Sequence, residues 1–499
     1  MNFSYLDVAI IIAYLVGIAV FGIFTGGKQR SARDYFLSDS SIPWWAVCFA
    51  IVATETSALT FISVPGIAYL TNLNFLQLAL GYLIGRVIVA QLFIPAYFKG
   101  ELPTAYAFLE TKFGSSVRKT ISITFMGTRV AADGVRLYTT AIPLALLLKG
   151  FGALPAFSPE VFYMISIVVM AIITLVYVFL GGVRAVIWTD VIQMFIYIIG
   201  ALLSGYVLLD ILPIHFDEVT SILTSQNKIA FINLGFENGW MQFFSKPYTL
   251  LASIIGGMFL SMASHGTDQI IVQRILTTRS VGDAKKAMIG SGIIVFLQFA
   301  LFLFVGSLLF LYYGGDAYSA NEVFPKFIVE KIPSGISGLI IAGLLAAAMS
   351  TLSGSISALS STTMMDIILP LSARKWDDAG MLRTSRWISI LWCALLIIVA
   401  MFFIRTPKAV VEIALSIASF TYGGMLGVFL LALLKKKILP SAALIGFFSS
   451  LIAMTIIILT TSIAWTWYTV IGASLAVGVG YIAQQFLSRS SEATSHGAA

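Results

Sequence analysis

The sequence predicts an all-α integral membrane protein with thirteen transmembrane helices. Its 499 residues have a mean hydropathy of +0.96, with 59% hydrophobic and 11% charged residues, which lies far outside the range of soluble proteins. Apolar runs of about 20 residues, the length that a helix needs to cross a bilayer, recur along the whole chain. The longest hydrophilic stretch, roughly residues 213–246, is predicted to be a loop, so no soluble domain is expected.

The predicted spans follow one another with short connections. Several are longer than a straight crossing requires, so we expect tilted or kinked helices. The first lacks a basic leader, which favours a retained helix over a signal peptide. The spans cover residues 5–26, 43–69, 74–98, 120–148, 160–180, 184–212, 247–273, 284–313, 334–370, 387–404, 408–434, 438–460 and 464–487.

Lysine and arginine residues are distributed unequally between the two sets of connecting loops. If the N-terminus lies outside, twenty of them fall in cytoplasmic segments and seven in outer segments. The positive-inside rule therefore predicts an outer N-terminus and a cytoplasmic C-terminus. The basic residues on the cytoplasmic side are expected to contact anionic lipid. This accounts for the net charge of +7 without a nucleic-acid partner.

The motifs of common enzyme classes are missing from the sequence. Its two cysteines, Cys48 and Cys393, both lie in apolar segments, so neither a disulfide framework nor a CxxC site is expected. There is no HExxH, nucleophile elbow or P-loop, and the three histidines are far apart in sequence. We therefore predict neither an enzyme nor an ATP-driven pump, and no organic cofactor.

The segment VATETSALTF, residues 52–61, places Glu55 among hydroxyl side chains inside a predicted span. A charge at the bilayer centre costs about 2.5–3.5 kcal/mol on insertion scales, so Glu55 needs a partner or a watery cavity. The residues TETS are poor helix formers, and VPG follows at 64–66, which predicts an interrupted helix. Non-helical backbone at membrane depth lines a cavity or is buried in protein, and interrupted helices form the mid-membrane sites of transporters.

Arg129, Asp133 and Arg136 are spaced four and then three residues apart, which places them on one face of a helix. In a purely structural network Asp133 would neutralise Arg129. Because one carboxylate cannot neutralise two guanidinium groups, Arg136 needs another anion. The candidates are Glu55 and a substrate carboxylate, which a guanidinium binds with two parallel hydrogen bonds.

A hydroxyl-rich segment, AAAMSTLSGSISALSSTT, occupies residues 346–363. Small hydroxyl residues in membrane helices most often bond to their own backbone or allow close packing. A run as dense as this one also supplies the oxygen ligands that hard cations such as sodium prefer.

Four segments together resemble the solute:sodium symporter family. They are WWAVCFAIVATETSALTFISVPGIAY at 44–69, YVFLGGVRAVIWTDVIQ at 177–193, HGTDQIIVQRILTTRSVGDAKKA at 265–287 and GLIIAGLLAAAMSTLSGSISALSS at 338–361. Their order and spacing agree with the family over about 430 residues. The resemblance implies a sodium-coupled symporter that imports a small organic solute by alternating access.

The resemblance also implies a LeuT-type core of two inverted five-helix repeats. An odd number of spans per repeat supports the inversion, because the second copy must then enter the membrane from the opposite side. The implied segments are an extra helix and cytoplasmic loop (1–42), the first repeat (43–212), an extracellular loop (213–246), the second repeat (247–437), two C-terminal helices (438–487) and a disordered cytoplasmic tail (488–499).

The family's principal sodium site draws its oxygens from the first and eighth core helices. The matching positions here are Ala53, Thr56, Ala347, Ser350 and Thr351. A second sodium site, present in one branch, matches Asp190, Ser350 and Ser353, but one ligand serine of that branch is replaced by Gly354. The resemblance thus implies one sodium ion and leaves a second open. Asp190 alone is also explained as a residue near the start of a helix, where a carboxylate favours the helix dipole.

That branch, the bacterial sialic acid symporters, implies a set of substrate contacts. Its carboxylate-binding arginine matches Arg136, its hydroxyl contacts match Ser57 and Thr60, and an aromatic residue matches Phe75. Two positions depart from the pattern, since Glu55 replaces a threonine and Ala79 a glutamine. The resemblance therefore implies an altered pocket.

Two interpretations of the altered pocket remain open at this stage. Glu55 binds an amine of a zwitterionic solute whose carboxylate contacts Arg136, or Glu55 neutralises Arg136 and the solute is an uncharged sugar or polyol. A solute channel and a sensor are more remote alternatives. The expected partners are sodium, a small organic solute and the lipid bilayer, and the sequence does not indicate an oligomeric state.

Overall fold

A computed structural model describes residues 4–100, 102–150, 158–236, 239–315, 318–373, 375–404 and 410–496. The chain is all-α within these ranges, as predicted, and the one β contact among them is an isolated bridge between Ile42 and Thr278. The helices are α1 (Tyr5–Gly26), α2 (Ala32–Leu37), α3 (Trp44–Glu55), α4 (Ala58–Leu70), α5 (Phe75–Leu92), α6 (Ile94–Phe98), α7 (Ala105–Phe113), α8 (Ser115–Gly150), α9 (Pro159–Ile211), α10 (Phe216–Ser225), α11 (Gly239–Ser245), α12 (Gly257–Gly266), α13 (Gln269–Ile275), α14 (Val281–Tyr313), α15 (Val323–Lys331), α16 (Ile336–Thr362), α17 (Leu369–Leu371), α18 (Asp378–Phe403), α19 (Val410–Leu433), α20 (Pro440–Thr460) and α21 (Tyr468–His496). Two π-helical segments, Ala252–Gly256 and Thr363–Ile368, lead into α12 and α17.

Each predicted span coincides with one or more of these helices. Spans 160–180 and 184–212 both lie in α9, which is kinked at Gly182, where φ is 58°. In the described part of the chain, eight helices are long and apolar enough to cross a membrane, or nine if the bent pair α3 and α4 is one span. The exact count of thirteen crossings therefore stays a prediction.

Two helices are interrupted at the level of the site. Helices α3 and α4 meet at a 67° bend around Thr56 and Ser57, which confirms the interruption predicted from TETS. A second break separates α12 from α13 at Thr267 and Asp268, where the sequence predicted one continuous span. The side chain of Asp268 caps α13 by accepting a hydrogen bond from the Ile270 amide (2.9 Å).

Helix α16 forms the centre of the molecule, and its residues from Gly338 to Thr362 are nearly all buried. Helix α1 packs on the first turn of α16 through the buried carboxylate of Asp7, which accepts hydrogen bonds from the Gly335 and Gly338 amides (2.8 and 2.7 Å). The outer helices expose large apolar side chains such as Leu391 and Ile452, as expected for surfaces that face lipid.

Two predicted segments differ from the structure. The loop 213–246 contains two short helices, α10 and α11. In the predicted tail 488–499, α21 continues to His496. The residues that follow Leu487, SRSSEATSH, contain neither proline nor glycine, the two strongest helix breakers.

Candidate functional site

A cavity of about 200 Å³ lies between the interrupted helices and is bounded also by α5, α8, α14 and α19. All five residues predicted to contact substrate line it: Glu55, Ser57, Thr60, Phe75 and Arg136. Ser57 begins α4, and its hydroxyl lies 3.2 Å from that of Thr60, so the break presents two hydroxyl groups side by side. The structure therefore brings the predicted set together in one place.

The two ends of the cavity differ in chemistry and in burial. Aromatic side chains line one end, where Phe75 packs edge-on against Tyr248 with ring centres 5.3 Å apart, and Trp465 lies next to Tyr248. Asp268 and Tyr422 line the other end and are buried. The aromatic end is thus partly exposed, and the end formed by the second break is buried.

The buried end is closed by a network of ion pairs around Arg129. Its guanidinium donates two hydrogen bonds to Asp133 (3.1 and 3.0 Å) and one to Asp268 (3.2 Å). Tyr422 also donates to Asp268, and Ser355 donates to Asp133. The structural role considered for Arg129 is therefore the observed one, with Asp268 as the additional anion that the sequence analysis did not identify.

Arg136 lies at the edge of this network. Its Nη1 donates to Asp133 (3.1 Å), and its side chain is 25% exposed, compared with 6% for Arg129. No other hydrogen bond from its guanidinium occurs among the described residues. Arg136 therefore presents free donors to the cavity.

Glu55 does not pair with Arg136, which corrects one of the two interpretations. Its Oε2 forms an ion pair with Arg86, a fully buried residue of α5. Arg86 also donates to the hydroxyl of Ser291 on α14 (2.7 Å). The pairing of α3 with α5 is a tertiary contact that no local spacing in the sequence indicates.

His265 is another cavity residue that the sequence analysis did not assign to the site. It lies in the last turn of α12, its Nδ1 is 2.8 Å from the Ser264 hydroxyl, and its Nε2 is 3.6 Å from Glu55 Oε2. The glycine and aspartate that follow it in HGTD are the local signal that was available, because they mark the end of one helix and the cap of the next.

The predicted sodium ligands lie around the first break and on α16, and all are buried: Ala53, Thr56, Ala347, Ser350 and Thr351. The Ser57 amide bonds to the Glu55 carbonyl (3.1 Å), so it does not continue the helix to Ala53. Among the described residues no backbone amide outside a helix donates to the Ala53 or Thr56 carbonyl. These oxygens are available to a cation, as the prediction requires.

A small cavity of about 10 Å³ between α4, α8 and α16 is lined by Ser57, Thr351 and Arg136, among others. This volume is close to the minimum that holds one water molecule. The Thr351 hydroxyl donates to the Ala347 carbonyl (3.2 Å). The first break and the hydroxyl-bearing face of α16 therefore meet at a cavity that is about large enough for one water molecule.

The residues matched to a second sodium site are also adjacent to one another. A positively charged side chain of the protein, that of Arg274, already lies there. Asp190 accepts hydrogen bonds from Ser350 (2.6 Å) and from Arg274 (3.2 and 2.8 Å). The Ser353 hydroxyl donates to the Ser350 carbonyl (3.0 Å). Asp190 lies well inside α9, about two turns past the kink, so its interpretation as a residue near a helix start was wrong.

Comparison with known proteins identifies the family of this chain. A family model described as the sodium:solute symporter family matches residues 35–450. The chain belongs to the sodium:solute symporter family. The family resemblance noted in the sequence is thereby confirmed.

Similar members of the family include bacterial transporters. The sodium/sialic acid symporter NanT of Aliivibrio fischeri is 28% identical over 96% of this chain and 93% of its own. The sodium/sialic acid symporter SiaT of Proteus mirabilis is 28% identical over 96% and 95%. A solved structure of a sodium-coupled sialic acid symporter, described as substrate-bound and outward-open, superposes with a TM-score of 0.86, covers 97% of this chain and 98% of that one, and is 25% identical.

The fold and the family together establish the class of activity. This symporter is a multi-pass membrane protein that couples the movement of sodium to that of a small organic solute, and it works by alternating access. It is a transporter and not an enzyme.

Proposed function

We propose that this symporter imports a small carboxylate-bearing solute together with sodium, and that Arg136 binds the carboxylate. The observation that carries the proposal is the position of Arg136 in the cavity, where it is partly exposed and shares a single hydrogen bond with Asp133. A guanidinium with free donors binds a carboxylate with two parallel hydrogen bonds. Ser57 and Thr60 supply neutral hydrogen bonds beside it.

The size of the cavity supports a small solute. Its volume of about 200 Å³ is below the roughly 300–1,000 Å³ of pockets that bind drug-sized ligands. Aromatic rings at the open end, including those of Phe75 and Trp465, cover the apolar part of a solute. A monocarboxylate fits this description better than a large acidic sugar.

The proposed transport cycle uses one sodium ion, bound at the carbonyls of Ala53 and Thr56 and the oxygens of α16. We place the N-terminus outside, from the distribution of basic residues, in the plasma membrane of a bacterial-type cell. The aromatic end then faces outward, and the structure corresponds to an outward-open state. We further propose that residues 43–212 and 247–437 are the two inverted repeats that move against each other around the site.

A second candidate function is sodium-coupled import of an uncharged sugar or polyol. The observation that favours it is the charge balance, because Arg129 and Arg136 are already matched in number by Asp133 and Asp268. The charge of Arg136 would then be neutralised by the network around Arg129 and not by Glu55. The two candidates differ in whether Arg136 has to contact a solute charge.

Sodium-driven uptake into proteoliposomes separates the candidates. For Arg136→Gln we expect the KM for carboxylates to rise about 10- to 100-fold, the range for loss of a charged hydrogen bond. Arg184→Gln is a matched control, since Arg184 pairs with the exposed Asp39 outside the cavity. Unchanged carboxylate uptake in Arg136→Gln, or sodium-driven uptake of sugars only, would contradict the first candidate.

A further inference from the structure

The cavity contains a second polar group that the proposed carboxylate site does not use. Glu55, which is 17% exposed through its side chain, faces the cavity, while its Oε2 is paired with Arg86 behind it. No hydrogen bond to its other oxygen, Oε1, occurs among the described residues. The group therefore offers one free acceptor to a solute.

His265 adds a second unsatisfied atom at the same place. The residue is 97% buried and lines the cavity, and its Nε2 has no hydrogen-bond partner among the described residues. The distance of 3.6 Å to Glu55 Oε2 is beyond hydrogen-bond reach. A buried polar atom without a partner is costly, so this nitrogen is available to a ligand.

The net charge of Glu55 and its partner Arg86 determines which ligand groups can bind here. Arg86 balances Glu55, so an ammonium group would bring an uncompensated positive charge close to a buried guanidinium. A hydroxyl group is neutral and both donates and accepts. With the proton of His265 on Nε2 and its Nδ1 accepting from Ser264, a hydroxyl group can donate to Glu55 Oε1 and accept from His265 Nε2 at the same time, which neither an ammonium nor a methyl group can do.

We infer that Glu55 and His265 form a hydroxyl-binding subsite, held in place by Arg86, and that the solute is a small hydroxy acid. The inference rests on the proposed function, in which Arg136 binds the carboxylate. It replaces the amine that the sequence analysis considered as a partner of Glu55. Specificity for a hydroxyl follows because a site with unpaired polar groups rejects an analogue that leaves them unpaired.

The test compares three acids of equal length that differ in one substituent: lactate, propionate and alanine. Sodium-dependent uptake into proteoliposomes, corrected for protein-free liposomes, should favour lactate over each of the others about 10-fold or more in kcat/KM. In His265→Phe the ratio of lactate to propionate should fall towards 1 while propionate uptake persists. The control is His215→Phe, an exposed histidine at the start of α10.

A second variant guards against misfolding of the first. Glu55→Gln alone would leave the buried Arg86 charge unpaired, so the double change Glu55→Gln, Arg86→Gln is used, and it too should remove the preference for lactate. An unchanged ratio in both variants, or a wild-type preference for propionate or alanine, would overturn the subsite alone. Sodium-driven uptake of sugars with none of the three acids would overturn the carboxylate proposal, and the subsite with it.

Discussion

At the scale of single residues, the buried arginine side chains inside the membrane form ion pairs with carboxylates. Arg86, Arg129 and Arg274 each contact a carboxylate from a different helix. Buried charges in a membrane need such partners because no water is present to solvate them. The contrast is Arg136, whose exposure to the cavity fits a role towards the solute.

Gly354 stands where one branch of the family has a ligand serine of the second sodium site, and it lies against Arg274, which pairs with Asp190. The packing at this position and the number of sodium ions can each be tested. A Cβ at this position would lie 2.9 Å from Arg274 Nη2, too close for the ion pair with Asp190 to keep its geometry. We expect Gly354→Ala to lower stability by about 1–3 kcal/mol through overpacking, measured as a lower melting temperature in detergent. Sodium dependence of uptake should have a Hill coefficient near 1 in the wild type.

The control is Gly205→Ala in α9, where the nearest atom would be a Val305 methyl at an ordinary 3.6 Å. Because alanine also favours helix over glycine, this variant should be as stable as the wild type or more stable. A Hill coefficient near 2 would contradict the view that Arg274 takes the place of a second sodium ion.

At the scale of elements, the two interrupted helices create the site. The break at Thr56 and Ser57 frees carbonyl oxygens, and the break at Thr267 and Asp268 places a carboxylate at the start of α13. At the first break, Ser57 lines the small cavity together with Thr351 of the long, continuous α16, and at the second break Asp268 pairs with Arg129 of α8. In the proposed sodium site, binding energy would come from bringing a broken helix against an intact one.

The contact between α4 and α16 predicts the effect of removing one hydroxyl. Thr351→Val keeps the shape of the side chain but removes an oxygen beside the small cavity. We expect the sodium concentration for half-maximal uptake to rise about 10-fold, which corresponds to about 1.4 kcal/mol.

Thr189→Val is the matched control for this change. Thr189 is also fully buried, and its hydroxyl likewise donates to a carbonyl of its own helix, that of Ala185 (2.9 Å), but it does not line the cavity. Equal sodium dependence in the two variants would exclude Thr351 as a ligand.

At the scale of the whole molecule, access to the cavity from one end is the basis of alternating access. Ile67 lies on the wall near the aromatic end and is partly exposed, whereas Ile270 lines the buried end and is 2% exposed. In the proposed orientation Ile67 faces the outside, and Ile270 is not accessible from the outside.

Cysteine labelling tests this asymmetry. The native Cys48 and Cys393 are free but buried, so they provide a low background. With sodium present and no solute, Ile67→Cys should react with an impermeant maleimide added outside, and Ile270→Cys should not. Solute should slow the reaction of Ile67→Cys by favouring closure. Equal labelling of both positions would contradict an outward-open resting state and the proposed orientation.

The sequence by itself determined the class of fold and the break in the first core helix. Both follow from local properties: hydropathy over about 20 residues identifies a span, and TETS is a run of poor helix formers at the observed break, whereas VPG lies inside α4. Five of the residues around the cavity were also predictable, because the family resemblance gives their positions along the chain, and all five line it.

Only the tertiary structure decided how the charges are paired. Glu55 pairs with Arg86 across 31 residues, and Arg274 with Asp190 across 84. Arg129 contacts Asp268 across 139 residues. A charge in a membrane requires a partner, and the sequence shows that requirement, but several carboxylates can meet it. Which one does so depends on how the helices pack, since an ion pair forms only between groups that the fold brings within a few ångströms.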